Sequence, residues 1–245
     1  QTAAQALVGM LLARWVIAVH GWAAAFWVLA AAGAVPLLLL GQLPAALSPL
    51  PHGDHGRIRW SWPAVQSLVA VFLLMASLGA FWAYAEPLGM RAGLDAQAAQ
   101  TVIAAALIAQ IAGGTLGTVA VGRWTAAPVL AASALLLGGV GLAVFLAPRM
   151  SEGFFPLCMA FAFVWLFMVP FHTAHAFAAD GSGRVAALTP AAQLLGSAAG
   201  PLVASLLVVG EDPSRAALVS AVCAGCALVV LLPAGRAGPT SSSRS

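Results

Sequence analysis

The sequence contains no lysine. Its ten cations are all arginines, set against seven acids, and charged residues fill only 7% of the 245 positions. A soluble globular domain carries roughly 25% charged residues, so this chain has too little charge to clothe a water-facing surface. The formal net charge of +3 and the pI near 9.2 do not point to nucleic acid. The arginines are scattered singly and form no stripe that could follow a phosphate backbone. Three cysteines outside any polar framework exclude a disulfide scaffold. What remains is apolar: 62% hydrophobic residues and a mean hydropathy of +0.99. The chain reads as an all-α integral membrane protein whose first partner is the lipid bilayer.

A membrane-spanning helix needs about 20 mainly apolar residues. Windows of that kind, free of charge in their interiors, predict eight spans: Thr2–Ala13, Trp22–Gly41, Pro63–Ala83, Ala98–Val121, Pro128–Ala147, Phe154–Ala174, Pro190–Val209 and Arg215–Pro233. The first is short and is expected to run past Arg14 toward Val19. These runs are too long for strands, and helices satisfy their own backbone hydrogen bonds, as hydrocarbon demands. Thr189-Pro190 and Asp212-Pro213 each set a capping side chain before a proline at a first helical position, and Asp95 is a candidate cap for Ala98–Val121. Trp15, Trp22, Trp60, Trp62, Trp82 and Trp124 fall at or near span ends, where interfacial anchors belong. Gln42–Ser61 reads as a linker, and Ala234–Ser245, rich in Gly, Ser and Arg, as a disordered tail.

If the chain starts inside, the inner segments hold Arg57, Arg59, Arg123, Arg184, Arg236 and Arg244, and the outer ones Arg14, Arg91, Arg149 and Arg215. That bias agrees with the positive-inside rule and puts both ends of the chain in the cytoplasm. Gln1 is not an initiator methionine, so the expectation is a piece of a longer chain whose remainder lies upstream.

The order of these features resembles the major facilitator superfamily, whose members have twelve helices in two six-helix halves joined by a cytoplasmic linker. Gly21-Trp22-Ala23-Ala24-Ala25-Phe26-Trp27-Val28-Leu29-Ala30 is similar to the family's Gly-Trp-Arg-x-x-Phe lead into its sixth helix, with Ala23 in place of Arg. Asp180-Gly-Ser-Gly-Arg184 followed by Gln193-Leu-Leu-Gly196-Ser-Ala-Ala-Gly200-Pro201 is similar to the turn and eleventh helix. Gly117–Arg123 would be a degenerate second copy of the family's cytoplasmic loop motif, without its Asp. The antiporter motif of the fifth helix keeps only Gly9, which gives no support to a drug antiporter. The resemblance implies helices five to twelve of twelve: residues 1–41 the last two helices of the first half, 42–62 the cytoplasmic linker, 63–233 the six-helix second half and 234–245 the tail. It implies a secondary transporter in a bacterial inner membrane, moving a small organic solute by alternating access with protons as coupling ion, and inactive without its missing N-terminal helices. A non-transporting helical scaffold is the alternative. An intramembrane enzyme is disfavoured, because Gly181-Ser182-Gly183 falls in a loop. No cofactor or metal is expected.

Ionised side chains inside a span are costly and mark function, and these spans have none in their interiors. A strongly ionic substrate would therefore find no partner in this half. Either the coupling residues lie in the missing helices, or the substrate is held by aromatic and neutral polar groups. Trp82, Tyr84 and Glu86 form one candidate cluster; Trp82 and Glu86 share a helix face if the helix continues past Ala83. Glu86 is then either a coupling carboxylate or, on the simpler reading, a solvated acid beyond an aromatic belt. Trp165, His172 and His175 lie along another helix, as cavity lining or as interfacial groups beside an aromatic packing face. Gln110 with Thr115, and Gln193 with Ser197, are amides and hydroxyls that must face other helices or a wet cavity. Arg123, Asp180 and Arg184 are candidates for a cytoplasmic gate, with ordinary loop charges as the alternative. His52, Asp54 and His55 suggest a metal clip but lack a further ligand. Gly113/Gly117 and Gly196/Gly200 are spaced for close helix contact, and Cys223 and Cys226 read as small packing residues rather than a redox pair.

Overall fold

A computed structural model describes residues 60–147, 149–210 and 212–232, together with 19–21, 23–24, 27 and 30–31. The first predicted span, most of the second, most of the linker, the tail and the His52–His55 segment lie outside the described residues. Among the described residues the structure is helical, with one isolated bridge between Val209 and Asp212. The helices are α1 (Trp62–Trp82), α2 (Ala85–Arg91), α3 (Ala96–Ala120), α4 (Ala126–Leu146), α5 (Ser151–Ala179), α6 (Arg184–Leu207) and α7 (Ser214–Leu231). All but α2 are long and apolar enough to cross a membrane. These features describe an all-α, multi-pass membrane protein.

Local chemistry sets the helix starts. The Ser61 hydroxyl accepts the Ala64 N–H at 3.3 Å ahead of α1, and Asp95 accepts the Ala98 N–H at 2.7 Å ahead of α3. Asp212 accepts from the Ser214 N–H at 3.0 Å and hydroxyl at 2.8 Å at the head of α7. Thr189-Pro190, by contrast, does not begin a helix. Asp180 turns the chain earlier by accepting from Ser182 N–H (3.1 Å), Ser182 Oγ (2.6 Å) and Val185 N–H (3.3 Å), so α6 starts at Arg184 and Pro190 lies inside it. Pro190 removes only the hydrogen bond that would reach the Ala186 carbonyl, which a packed helix tolerates. Gly183, with φ at +75°, sits against the Phe177 ring, a conformation and a contact that both exclude a side chain. The helix predicted over Phe154–Ala174 extends to Ser151–Ala179, through Pro156 and Pro170.

The helix packing is duplicated. α6 lies along α1 as α3 lies along α5; α7 lies along α1 as α4 lies along α5; and α4 and α7 pack on each other. Exchanging α1 with α5, α3 with α6 and α4 with α7 maps these main contacts onto one another, whereas the smaller contacts of α6 with α5 and α7 and of α1 with α4 have no counterpart of that size. Glycine makes both long contacts. A Cβ on Gly113 or Gly117 would collide with the Phe163 or Phe167 carbonyl of α5, and one on Gly196 or Gly200 with the Phe72 or Ala76 carbonyl of α1. Backbones approach this closely only where both helices can spare the side chain. The core lies among α1, α4, α5 and α7 and includes a stacked Phe81–Phe161 pair with centroids 4.2 Å apart. α3 lends Val102 and Ala120 to this core, α6 buries side chains in two smaller clusters, and the two form wings without substantial contact with each other.

Candidate functional site

The seam where α1 and α5 meet, with α6 beside it, holds Trp82, Trp165, His172 and Gln193. On α5, Trp165, His172 and His175 are spaced by seven and three residues and share one stripe. Trp82 of α1 meets Trp165 edge-on, centroids 5.5 Å apart and planes at 79°. Two turns further along α5, His172 is completely buried, and its Nδ1 lies 3.2 Å from Nε2 of Gln193 on α6. With the amide donating, Nδ1 is the acceptor and the neutral imidazole carries its proton on Nε2. Thr189 sits one turn before Gln193 and is also buried. His172 Nε2 and Thr189 Oγ1 are buried without a hydrogen-bond partner among the described residues. An unsatisfied buried polar group costs about 1–3 kcal/mol, so two in neighbouring positions mark a place built for something other than packing. Ser197 donates to the Gln193 carbonyl at 2.8 Å, and His175, one turn from His172, is half-buried.

The remaining candidates are dispersed. Trp82 and Glu86 do not share a helix face, because α1 stops at Trp82. Pro87 has no N–H for the Ala83 carbonyl, and its ring crowds the same oxygen. The chain breaks at Tyr84 (φ −114°, ψ 14°) and restarts as α2. Trp82, the last residue of α1, is half-buried in its pair with Trp165, whereas Trp60, Trp62 and Trp124 are exposed. Tyr84, half-buried at the break, packs against the core on both sides. Glu86 faces Gln100 of α3, whose amide donates to it at 3.3 Å in an exposed position. Gln110 is half-buried on α3, away from the His172–Gln193 pair, and Thr115 bonds back to the Ile111 carbonyl of its own helix.

The three gate candidates lie in two turns, Asp180 and Arg184 in the same one. Arg123 is exposed in the turn between α3 and α4, while the carboxylate of Asp180 is occupied by Ser182 and Val185 at the α5–α6 turn. Those hydrogen bonds, helped by the Arg184 charge, hold the Asp180 carboxyl below its ordinary range. The charged group that does tie elements together lies at the other end of the bundle and was not singled out by the sequence. Arg91 pairs with Asp212 at 3.1 Å and donates to the Val144 carbonyl at the end of α4, also at 3.1 Å. One guanidinium thereby links α2, a carbonyl without a helical donor and the α6–α7 loop. Ser214 and, to a lesser degree, Arg91 hold the Asp212 carboxyl below its ordinary range. Inside the bundle the Ser77 and Ser220 hydroxyls are 3.0 Å apart and buried, joining α1 to α7, and the Gln66 amide donates to the Val230 carbonyl. Spans otherwise filled with Ala, Leu and Val offered a signal for these groups, since each polar side chain there needs a partner.

No family model matches the chain, and no curated protein or solved structure matches it either. Function therefore rests on the geometry alone. Among the described residues no group of three His, Cys, Asp or Glu side chains is placed to hold a metal. The seam offers aromatic faces, an imidazole, an amide and hydroxyls, and no fixed ionic group. Such a set suits an uncharged or weakly polar organic molecule.

Proposed function

We propose that this protein is a secondary transporter of the major facilitator kind, moving a small organic solute by alternating access with proton coupling. The observation that carries the reading is the duplicated packing. Each unit contributes three membrane-crossing helices, α1, α3 and α4 in the first and α5, α6 and α7 in the second. Three crossings reverse the direction of entry, so two equivalent units are inverted relative to one another. Inverted repeats of this kind underlie alternating access in many transporters, with substrate held near the midplane at the repeat interface. The α1–α5 seam is the interface between the two first helices of the units, and Trp82, Trp165, His172 and Gln193 are the residues proposed to meet the solute there. The wings α3 and α6, docked through glycine onto α5 and α1, can slide without rebuilding side-chain interlocks.

On this reading the six spans form the second half of a twelve-helix protein, residues 1–41 end the first half, and both chain ends face the cytoplasm of an inner membrane. Glu86, in an exposed pair with Gln100, is not the coupling group.

The test is solute uptake into proteoliposomes by the complete protein, screened across small organic compounds with and without a pH gradient. Saturable uptake that responds to the gradient is expected. It should be lost in His172→Ala, weakened in Gln193→Ala and unchanged in Glu86→Gln. A folded protein that moves no compound and shows no accessibility change at the seam would instead favour the scaffold reading. Loss of pH response in Glu86→Gln alone would relocate the coupling site.

A further inference from the structure

At the end of the bundle that carries Arg91 and Asp212, α4, α6 and α7 leave a cavity of about 420 Å³ between them. Its walls are apolar: Phe145 from α4, Val203 and Leu207 from α6, Leu218 and Val222 from α7. Val203, Leu207 and Val222 are exposed, so the cavity opens on the outer surface of the bundle, which in a membrane-crossing protein faces hydrocarbon. A single charged group lines it, Arg215, at the start of α7.

From these features we infer that the cavity is a binding site for an anionic phospholipid, with one acyl chain among the apolar walls and the headgroup phosphate on Arg215. A volume of several hundred Å³ with apolar walls and one polar fixing group is the common form of a small-molecule site. The opening onto the lipid phase selects an occupant that already resides there. Arg215 is exposed and donates through one terminal nitrogen to the Leu207 carbonyl at 3.1 Å, which fixes the side chain at the mouth. A guanidinium has five N–H donors in a planar fork suited to phosphate, so most remain for the headgroup. Among the described residues Asp212 is the nearby acid; its charge acts on both Arg91 and Arg215, its closest pairing is with Arg91, and its oxygens accept from Ser214. Arg215 therefore supplies a positive charge at the mouth of a groove that otherwise sorts only for hydrocarbon. This site lies apart from the α1–α5 seam and does not depend on the transport reading.

The complete protein in phosphatidylcholine nanodiscs tests this. The discs carry a small fraction of phospholipid with a photoreactive diazirine in mid-chain, bearing either a phosphatidylglycerol or a phosphatidylcholine headgroup. After irradiation, adducts are mapped by mass spectrometry. The expected result is adducts concentrated over residues 203–207 and 218–222, several-fold more abundant with the glycerol headgroup, the excess shrinking as salt is raised. Arg215→Gln should bring the two headgroups to parity, Arg215→Lys should keep part of the preference, and Leu218→Trp should reduce adducts from both. Equal labelling by both headgroups in the unaltered protein overturns the inference. So does labelling no denser there than at exposed Leu194 and Leu195, or an absence of adducts because a second copy of the chain covers the groove. The salt dependence is read on the unaltered protein, so the outcome stands even if a variant fails to fold.

Discussion

The two three-helix units share one packing scheme and differ in what it carries. In the first, α3 docks on α5 through Gly113 and Gly117; in the second, α6 docks on α1 through Gly196 and Gly200. In the first wing the Thr101, Thr115 and Thr118 hydroxyls bond back to their own helix, Gln100 donates to Glu86, and Ile108, Leu116 and Val119 are exposed. The second wing holds Thr189, Gln193 and Ser197, and its mean hydropathy is 1.3 against 1.8 for α3. The first helices differ likewise: α1 is 67% buried over its most apolar window, and α5, with His172 and Trp165, is 44% buried. Repetition thus fixes the scaffold, and chemistry has been added to one side of it.

The largest test of that comparison is at the glycines. Gly117→Leu and Gly200→Leu are expected to cost about 3 kcal/mol each, since the added side chain meets backbone rather than a movable side chain. Gly139→Ala and Gly225→Ala, where a Cβ meets nothing within 4 Å, should instead be neutral or stabilising by about 0.5–1 kcal/mol. Denaturation of the purified chain in mixed micelles reads both. A large cost at Gly200 with none at Gly117 would break the equivalence of the units.

Helix capping gives the next effect. Asp95→Ala should cost about 1 kcal/mol, whereas Thr125→Ala ahead of α4 should be close to neutral, because Thr125 makes no capping hydrogen bond. Smaller again is the link between units through Ser77 and Ser220. A double-mutant cycle with alanine should return a coupling near 0.6 kcal/mol, the size usual for hydrogen bonds between membrane helices.

The smallest effect is in pH. Asp180 and Asp212 both have carboxyls held below the ordinary range near 4. A lowered folded pKa means that the unfolded chain binds the proton first. The contribution is therefore fully present above about pH 4 and is lost as pH falls through the folded values. Both groups are largely solvated, so the acid-side loss should be slight and should shrink in Asp212→Asn. A loss of stability above pH 6 that Asp212→Asn abolishes would contradict this assignment.

Much of the fold was legible because a bilayer leaves a chain few choices. Pro63–Ala83, Ala98–Val121, Pro128–Ala147 and Arg215–Pro233 coincide within a few residues with α1, α3, α4 and α7. Asp95 caps as its spacing predicts. Where the reading departed, a single residue in three dimensions was responsible. Pro87 ended α1 before Glu86 could join Trp82, and the Asp180 turn started α6 ahead of Pro190, placing Thr189 inside the bundle. His172 and Gln193 were visible as candidates, but nothing in one dimension paired them, because their meeting depends on how α5 and α6 face each other. Arg91 passed unnoticed because its two partners, Val144 and Asp212, lie on other elements.

By itself, then, the sequence determined the phase in which this protein lives and the helices that cross it. Low charge and long apolar runs set the free energy of transfer, and in hydrocarbon the backbone must bond within each helix. Which helices touch was decided only in the tertiary structure. Among apolar helices, hydrophobicity does not discriminate one neighbour from another; close glycine contacts and the few polar pairs do. Those contacts produced the repeated frame, the His172–Gln193 seam and the groove beneath Arg215.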